Sequence, residues 1–253
     1  MEDKTTDGTQ IAIRVNDLSI GYSGVAIQEH LTFDVPMGCI FVILGGSGCG
    51  KTTLLQTLVG LQAPIRGAMD LLGQGPADLD NGLPPFGVAF QAGALLGSMT
   101  LLENVSLPMH RWTDLPADAI EALAAARLRI VGLAGFEQHL PAEVSGGMLK
   151  RAGIARALAM EPRMLFLDEP SAGLDPVTSA ELDETLVSLR DDLGVTTVLV
   201  THELPSIFRT ADLCVMLDRD ARGIIAAGNP GALRDNSTDP RVQAFFNRKS
   251  GNH

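Results

Sequence analysis

No apolar run in this chain approaches the ~18 residues that a helix needs to cross a bilayer. Met1-Glu2-Asp3-Lys4 opens no signal-peptide hydrophobic region. The expectation is a cytoplasmic protein. Positive charge is also short, with 19 Lys and Arg against 30 Asp and Glu and a net charge of −11. That balance argues against a nucleic-acid binder that works by phosphate neutralisation. It argues equally against spontaneous docking on an anionic lipid surface, so membrane association has to come through a protein partner. Cysteine is limited to Cys39, Cys49 and Cys214, odd in number and without metal-ligand spacing. Cys39 and Cys214 are expected as small buried hydrophobes in a reducing compartment. Cys49 falls at a predicted helix N-terminus, where a lowered thiol pKa and inactivation by alkylation are expected. What is present is 45% hydrophobic and 19% charged. That is ample for one large domain, or for a core with an inserted subdomain, and shows no sign of global disorder.

The stretch that dominates the chain is Gly45-Gly46-Ser47-Gly48-Cys49-Gly50-Lys51-Thr52-Thr53, which fits G-x-x-x-x-G-K-[ST]. It follows the apolar run Cys39 to Leu44 and precedes a helical pattern from Thr52 to Val59, the strand–loop–helix context that the motif requires. Glycines let backbone N–H groups turn inward on phosphate oxygens, and the helix start adds free donors and partial positive charge. Lys51 is expected at the β- and γ-phosphates, with the Thr52 hydroxyl on Mg²⁺.

Ile11 to Val15 alternate as a half-buried strand, and Leu31 to Val35 repeat the pattern, suggesting an antiparallel sheet beside the nucleotide core. The phosphate-loop helix should stop at Gly60. Further strands are expected at 68–72 and 87–91, with a Gly/Pro-rich loop between them. Residues 92–153 read as an inserted helical subdomain, with a capping box at Thr100-Leu101-Leu102-Glu103 and a helix over Ala117 to Val131. The core resumes with a strand at Met164 to Leu167, a leucine-striped helix ended by Gly194, and a strand at 195–200. Alternation of strands and helices implies parallel pairing through right-handed crossovers. A closing hairpin is expected at 212–217 and 223–227, then a short tail helix at 240–247. The division is 11–91 and 154–235 for the core, 92–153 for the insertion and 236–253 for the tail, all within one domain.

Asp168-Glu169 follows the strand at 164–167, where α/β sheets bind ligands. Asp168 suits a carboxylate that holds Mg²⁺, and Glu169 suits a group that polarises an attacking water. Ser145-Gly146-Gly147 opens a helix expected over Met148 to Ala159, with its amides bare as a second anion site. Two copies packed head-to-tail would set each such site opposite the other's phosphate loop.

These residues, with Gln91, Ser171-Ala172-Gly173-Leu174-Asp175 and Thr201-His202, resemble in order and spacing the ATP-binding subunit of an ABC transporter. The resemblance covers about residues 11–235. It implies an α/β fold: a P-loop NTPase (RecA-like) core with an antiparallel β subdomain and an inserted helical subdomain. It implies ATP and Mg²⁺ as ligands and an ATPase activity coupled to transport. By resemblance, Tyr22 stacks on adenine, Gln91 approaches Mg²⁺ and couples the site to the membrane subunit, and Ser145, Gly146 and Gly147 hold the γ-phosphate across a dimer interface. Asp175 orders that interface, and His202 contacts the γ-phosphate. Val144 and Met148 depart from the commoner Leu and Gln, and Thr52 from the commoner Ser; no reacting group is lost.

Gly87 to Thr100, continuing into Glu103-Asn104-Val105 and Leu107-Pro108, together with Met148 and the tail Asp239 to Phe246, resemble a narrower branch, the Mla/MCE-type phospholipid transport ATPases. That branch implies four partners: a second copy, an integral-membrane permease, an MCE-domain protein and a small STAS-type accessory subunit. It implies no nucleic acid, and a place on the cytoplasmic face of the inner membrane. Phe245-Phe246 reads either as an exposed anchor or as packing on its own domain. An importer ATPase for amino acids or another small solute, a non-transport ABC ATPase and a catalytically dead regulatory module are the alternatives.

Overall fold

The structure, a computed structural model, describes residues 10–80, 82–91 and 94–247. The polar stretch 1–9, Ala92-Gly93 of the resemblance above and the last six residues lie outside the described residues. Two strands open the fold, β1 (Ile11–Tyr22) and β2 (Val25–Pro36). Ser23 and Gly24 between them take φ of 50° and 79°, the left-handed pair that matches the strand twist in a tight hairpin. Both strands are longer than their alternation suggested. Asp17 and His30 also have positive φ, and the register shifts around them; a bulge of this kind breaks the period-2 pattern without ending the strand.

Strand β3 (Ile40–Gly45) leads through the glycine loop into α1 (Lys51–Leu58), whose end is followed by Gly60 at φ 78°. Strand β4 (Arg66–Leu71) then returns to β1, completing an antiparallel sheet in the order β2-β1-β4. Strand β5 (Phe86–Ala89) begins the main sheet's edge. Helix α2 (Leu101–Trp112) starts on the expected capping box, Thr100 Oγ1 accepting from Glu103 N at 3.1 Å and Glu103 Oε2 from Thr100 N at 2.7 Å. Buried Asn104 ties the preceding loop to it, accepting from Leu96 N at 2.7 Å and donating to Leu96 O, Met99 O and Thr100 O. Helix α3 (Ala117–Ile130) and α4 (Gly146–Ala157) follow. Helix α4 starts two residues earlier than expected, because Ser145 caps it and both glycines lie inside its first turn.

The chain then returns through β6 (Met164–Asp168), α5 (Pro176–Leu193), β7 (Thr196–Val200), α6 (Leu204–Thr210), β8 (Leu213–Asp218), β9 (Gly223–Gly228), α7 (Pro230–Asn236) and α8 (Pro240–Phe246). Helices α6 and α7 are seven residues each, too short to show a 3.6-residue period. The main sheet runs β5-β6-β7-β3-β8-β9, with the first five strands parallel and β9 antiparallel. Its parallel strands are buried on both faces, which is why they read as continuous apolar runs, whereas β9 at the edge is only half-buried. Ile40, Val42, Leu44, Leu165 and Leu167 pack towards helices α2–α5, while Phe41, Ile43, Phe166, Val198 and Val200 pack towards α1 and the antiparallel sheet. Phe246 is only 4% exposed, packs 5.6 Å from the Phe208 ring and joins the first of these clusters. Phe246 is thus core, as packing on its own domain requires, while Phe245 is partly buried against it.

Candidate nucleotide site

Parallel pairing assembles the site. Strands β5, β6, β7 and β3 lie side by side and point the same way, so whatever follows their last residues emerges along one edge. Those followers are Gln91, Asp168-Glu169, Thr201-His202 and the Gly45–Thr53 loop, segments up to about 150 residues apart in sequence. Ligands in open α/β sheets bind at this edge.

In the loop, Gly45 (φ 146°), Gly48 (φ 72°) and Gly50 (φ 96°) hold conformations that L-residues avoid. A side chain at Gly45 would also run into Cys49 Sγ and Leu217 O. Beside Gly46 and Gly48 the space is open, as a cradle for a ligand requires. Lys51 Nζ donates to Gly45 O and Gly46 O, both at 3.0 Å, folding the ammonium over its own loop. From beneath, fully buried Gln28 donates to Cys49 O at 2.7 Å and to Asp218 O at 3.0 Å. Sequence reasoning missed this residue, because it is one of several polar residues along β2 and nothing local marks it as the buried one. Tyr22 is 52% exposed and its hydroxyl lies 3.1 Å from Thr53 Oγ1, beside the loop.

One expectation fails. Cys49 is buried at 1% exposure, and desolvation pushes its thiol pKa up, more than the nearby Lys51 ammonium and helix amides draw it down. It is not an activated thiol. Cys39 and Cys214 are the buried hydrophobes expected, each pushed up to about 12 by burial.

Across the sheet edge, Thr52 Oγ1 donates to Asp168 Oδ1 at 3.4 Å. Burial raises the Asp168 pKa, offset in part by that hydrogen bond; a buried carboxylate with an adjacent hydroxyl is a donor pair suited to a small hard cation. Mg²⁺ is usually held by one or two carboxylates together with phosphate oxygens rather than by an all-protein cage. The pair fits it.

Glu169 N donates to Val200 O at 2.8 Å across the β6/β7 ends. This brings Glu169 Oε1 to 2.8 Å from His202 Nδ1. The other carboxylate oxygen, Oε2, is buried with no hydrogen-bond partner among the described residues. Glu169 itself has φ 48°, a left-handed conformation that costs a non-glycine residue roughly 1–3 kcal/mol and marks functional sites.

Ser145, Gly146, Gly147 and Asp175 come together elsewhere, and among the described residues no hydrogen bond joins them to the glycine loop. Ser145 caps α4, accepting from Met148 N at 3.3 Å, and Asp175 caps α5, accepting from Val177 N and Thr178 N at 3.0 and 3.1 Å. The Gly146 α-carbon faces open space, whereas a side chain on Gly147 would overlap Thr178 Cγ2. Gly147 is therefore required by packing as well as by any bare amide. Gly147→Ala should lower stability by about 1–3 kcal/mol through overpacking. Adding Thr178→Ser, which removes that methyl but keeps the hydroxyl on Asp175, should restore most of the loss in urea unfolding. Gln91 lies exposed past β5, and among the described residues no hydrogen bond joins it to the other site groups.

A phosphate-binding loop, a buried carboxylate beside its threonine and a Glu–His pair on one parallel sheet edge define a P-loop nucleotide hydrolase. The ABC transporter family profile matches residues 28–172. The chain is 37% identical over 240 residues to the intermembrane phospholipid transport system ATP-binding protein MlaF of Escherichia coli K12, covering 92% of this chain and 88% of that one. It is 36% identical over 242 residues to the probable ribonucleotide transport ATP-binding protein mkl of Mycobacterium leprae, covering 94% and 69%. A dimeric ATP-binding cassette in a post-hydrolysis state with ADP and Pi bound matches with a TM-score of 0.75 at 25% identity, over 86% of this chain and 98% of that one. This chain belongs to the ABC transporter family, as an ATPase subunit that couples ATP hydrolysis to transport.

Proposed function

We propose that this chain powers a transporter of phospholipids between the inner and outer membranes of a Gram-negative envelope. The hydrolytic part of the reading is carried by Glu169, whose one oxygen lies at hydrogen-bond distance from His202 while the other is buried without a partner among the described residues, an acceptor that a water admitted to the site would satisfy. The cargo is supported by likeness to the phospholipid transport protein over nearly its whole length and by the resemblance in residues 87–108, the stretch that contains Gln91.

In the proposed mechanism Tyr22 stacks on adenine, and the amides of Gly45 to Thr53 cradle the phosphates. Lys51 leaves the Gly45 and Gly46 carbonyls for the β- and γ-phosphate oxygens. Thr52 and Asp168 would hold Mg²⁺, with Gln91 as a further polar group for it. When bound, the cation neutralises charge building on the transferred phosphoryl group. Glu169 polarises the attacking water and His202 keeps its carboxylate aligned while contacting the γ-phosphate. Ser145, Gly146 and Gly147 of a second copy, packed head-to-tail, close the site from the far side, and Asp175 orders that interface. Closure of two copies on two ATP molecules then pulls on a membrane permease, and hydrolysis resets the pair. No helix among the described residues is long and apolar enough to cross a membrane; in this reading the permease holds the chain at the cytoplasmic face.

Purification of the tagged chain from solubilised membranes should bring down a multispanning permease, an MCE-domain protein and glycerophospholipid, with a small STAS-type subunit as a further component. The likeness to the ribonucleotide transport protein favours a second reading, a transporter of a small polar solute. A co-purifying solute-binding protein would establish it and overturn the lipid cargo.

A further inference from the structure

Helix α4 is fastened to the catalytic strand end of its own chain through one side chain that sequence reasoning passed over. Residues 147, 150 and 151 share a face, being three and four apart. Gly147 abuts Thr178 in the first turn of α5, and Arg151 Nη2 lies 3.8 Å from Glu181 Oε2. Between them Lys150 reaches the turn after β6. Its ammonium donates to Glu169 O at 3.4 Å and, more closely, to Ala172 O. Glu169 O already accepts Ala172 N at 3.2 Å, so Lys150 closes the carbonyl side of the turn in which Glu169 is held at φ 48°. The lysine is partly buried for this contact, and burial lowers its pKa against the opposing influence of Glu203 and Glu169. A partly desolvated ammonium is costly unless its hydrogen bonds are made.

We propose that Lys150 is a positioning residue, linking Glu169 of one nucleotide site to the anion-binding helix start that the same chain offers to the other. The inference rests on the head-to-tail reading above. Lys150 lies about one turn beyond Gly146-Gly147 on the same helix. When the start of α4 seats on a phosphate across the interface, the carbonyls held by Lys150 are carried with it, and the Glu169 carboxylate comes into line. Hydrolysis thereby waits for a completed dimer.

The test is Lys150→Met in the full chain, which keeps most of the stem and removes the donors. kcat should fall about 10- to 100-fold, the scale of a small misplacement of a catalytic group, with the ATP KM moved by less than about threefold. Lys150→Arg, which restores charged donors, should recover kcat to within about threefold. In the Glu169→Gln background, where chemistry is removed, Lys150→Met should still dimerise with MgATP. A Met variant with the parent's kcat overturns the proposal, as does a loss confined to KM. An arginine variant as slow as the methionine one, or failure of the double variant to dimerise, overturns it too, since either would mean that Lys150 serves only the fold of α4. A parent chain with no ATPase activity would instead refute the hydrolytic reading.

Discussion

The Glu169→Gln protein should bind ATP about as tightly as the parent chain and hydrolyse it at least about 100-fold more slowly, the range for loss of a general base. The substitution keeps the shape of the side chain and a hydrogen-bonding oxygen near His202 Nδ1, which now lies 2.8 Å from Glu169 Oε1. What it removes is the charge that makes the second oxygen a proton acceptor. The strained backbone at φ 48° is unaffected, because it is held by Glu169 N on Val200 O and by Ala172 N and Lys150 on Glu169 O. With binding intact and turnover blocked, two copies should accumulate as an ATP-bound dimer. Size-exclusion chromatography with MgATP and a phosphate-release assay read both effects, and a fully active variant would remove Glu169 from the chemistry.

Lys51→Ala should abolish measurable ATP binding. Charge-assisted hydrogen bonds are each worth about 1.5–3 kcal/mol, so two lost phosphate contacts weaken affinity by more than about 100-fold. The ammonium also has a second duty. In the free chain it holds Gly45 O and Gly46 O at 3.0 Å each, pulling the loop's carbonyls to one side while its amides face the ligand. Alanine leaves those carbonyls to water and loosens the cradle before any nucleotide arrives. Titration with a fluorescent ATP analogue measures the loss. Binding within about tenfold of the parent would mean that the loop amides and the α1 N-terminus suffice alone.

Much of the site was legible because its parts are local. A glycine loop between an apolar strand and a helix declares its geometry through residue types that only such a turn accepts, as Gly45, Gly48 and Gly50 confirm with their positive φ. Asp168-Glu169 was readable as the polar end of a buried strand, and the capping box at Thr100 marked α2 to within a residue. Cys49 shows the limit. Its place near a helix start pointed to a lowered pKa, but the neighbouring fold buries it, and desolvation outweighs the dipole. Gln28 and Lys150 were invisible for a related reason: each is an ordinary polar residue whose partners, Asp218 and Ala172, lie far along the chain. Gly147 was read for its amide, while its tight packing on Thr178 needs two helices in place.

By itself, then, the sequence determined the class of fold, the fuel and the glycine loop that cradles a ligand, since these follow from backbone conformations and strand patterns encoded within a few residues of each other. Only the tertiary structure decided which groups meet. The strand order β5-β6-β7-β3 sets Glu169 beside His202 and Asp168 beside Thr52, and burial raises the pKa of Cys49 and Asp168. Both depend on long-range pairing and on the exclusion of water, which no local stretch of chain contains.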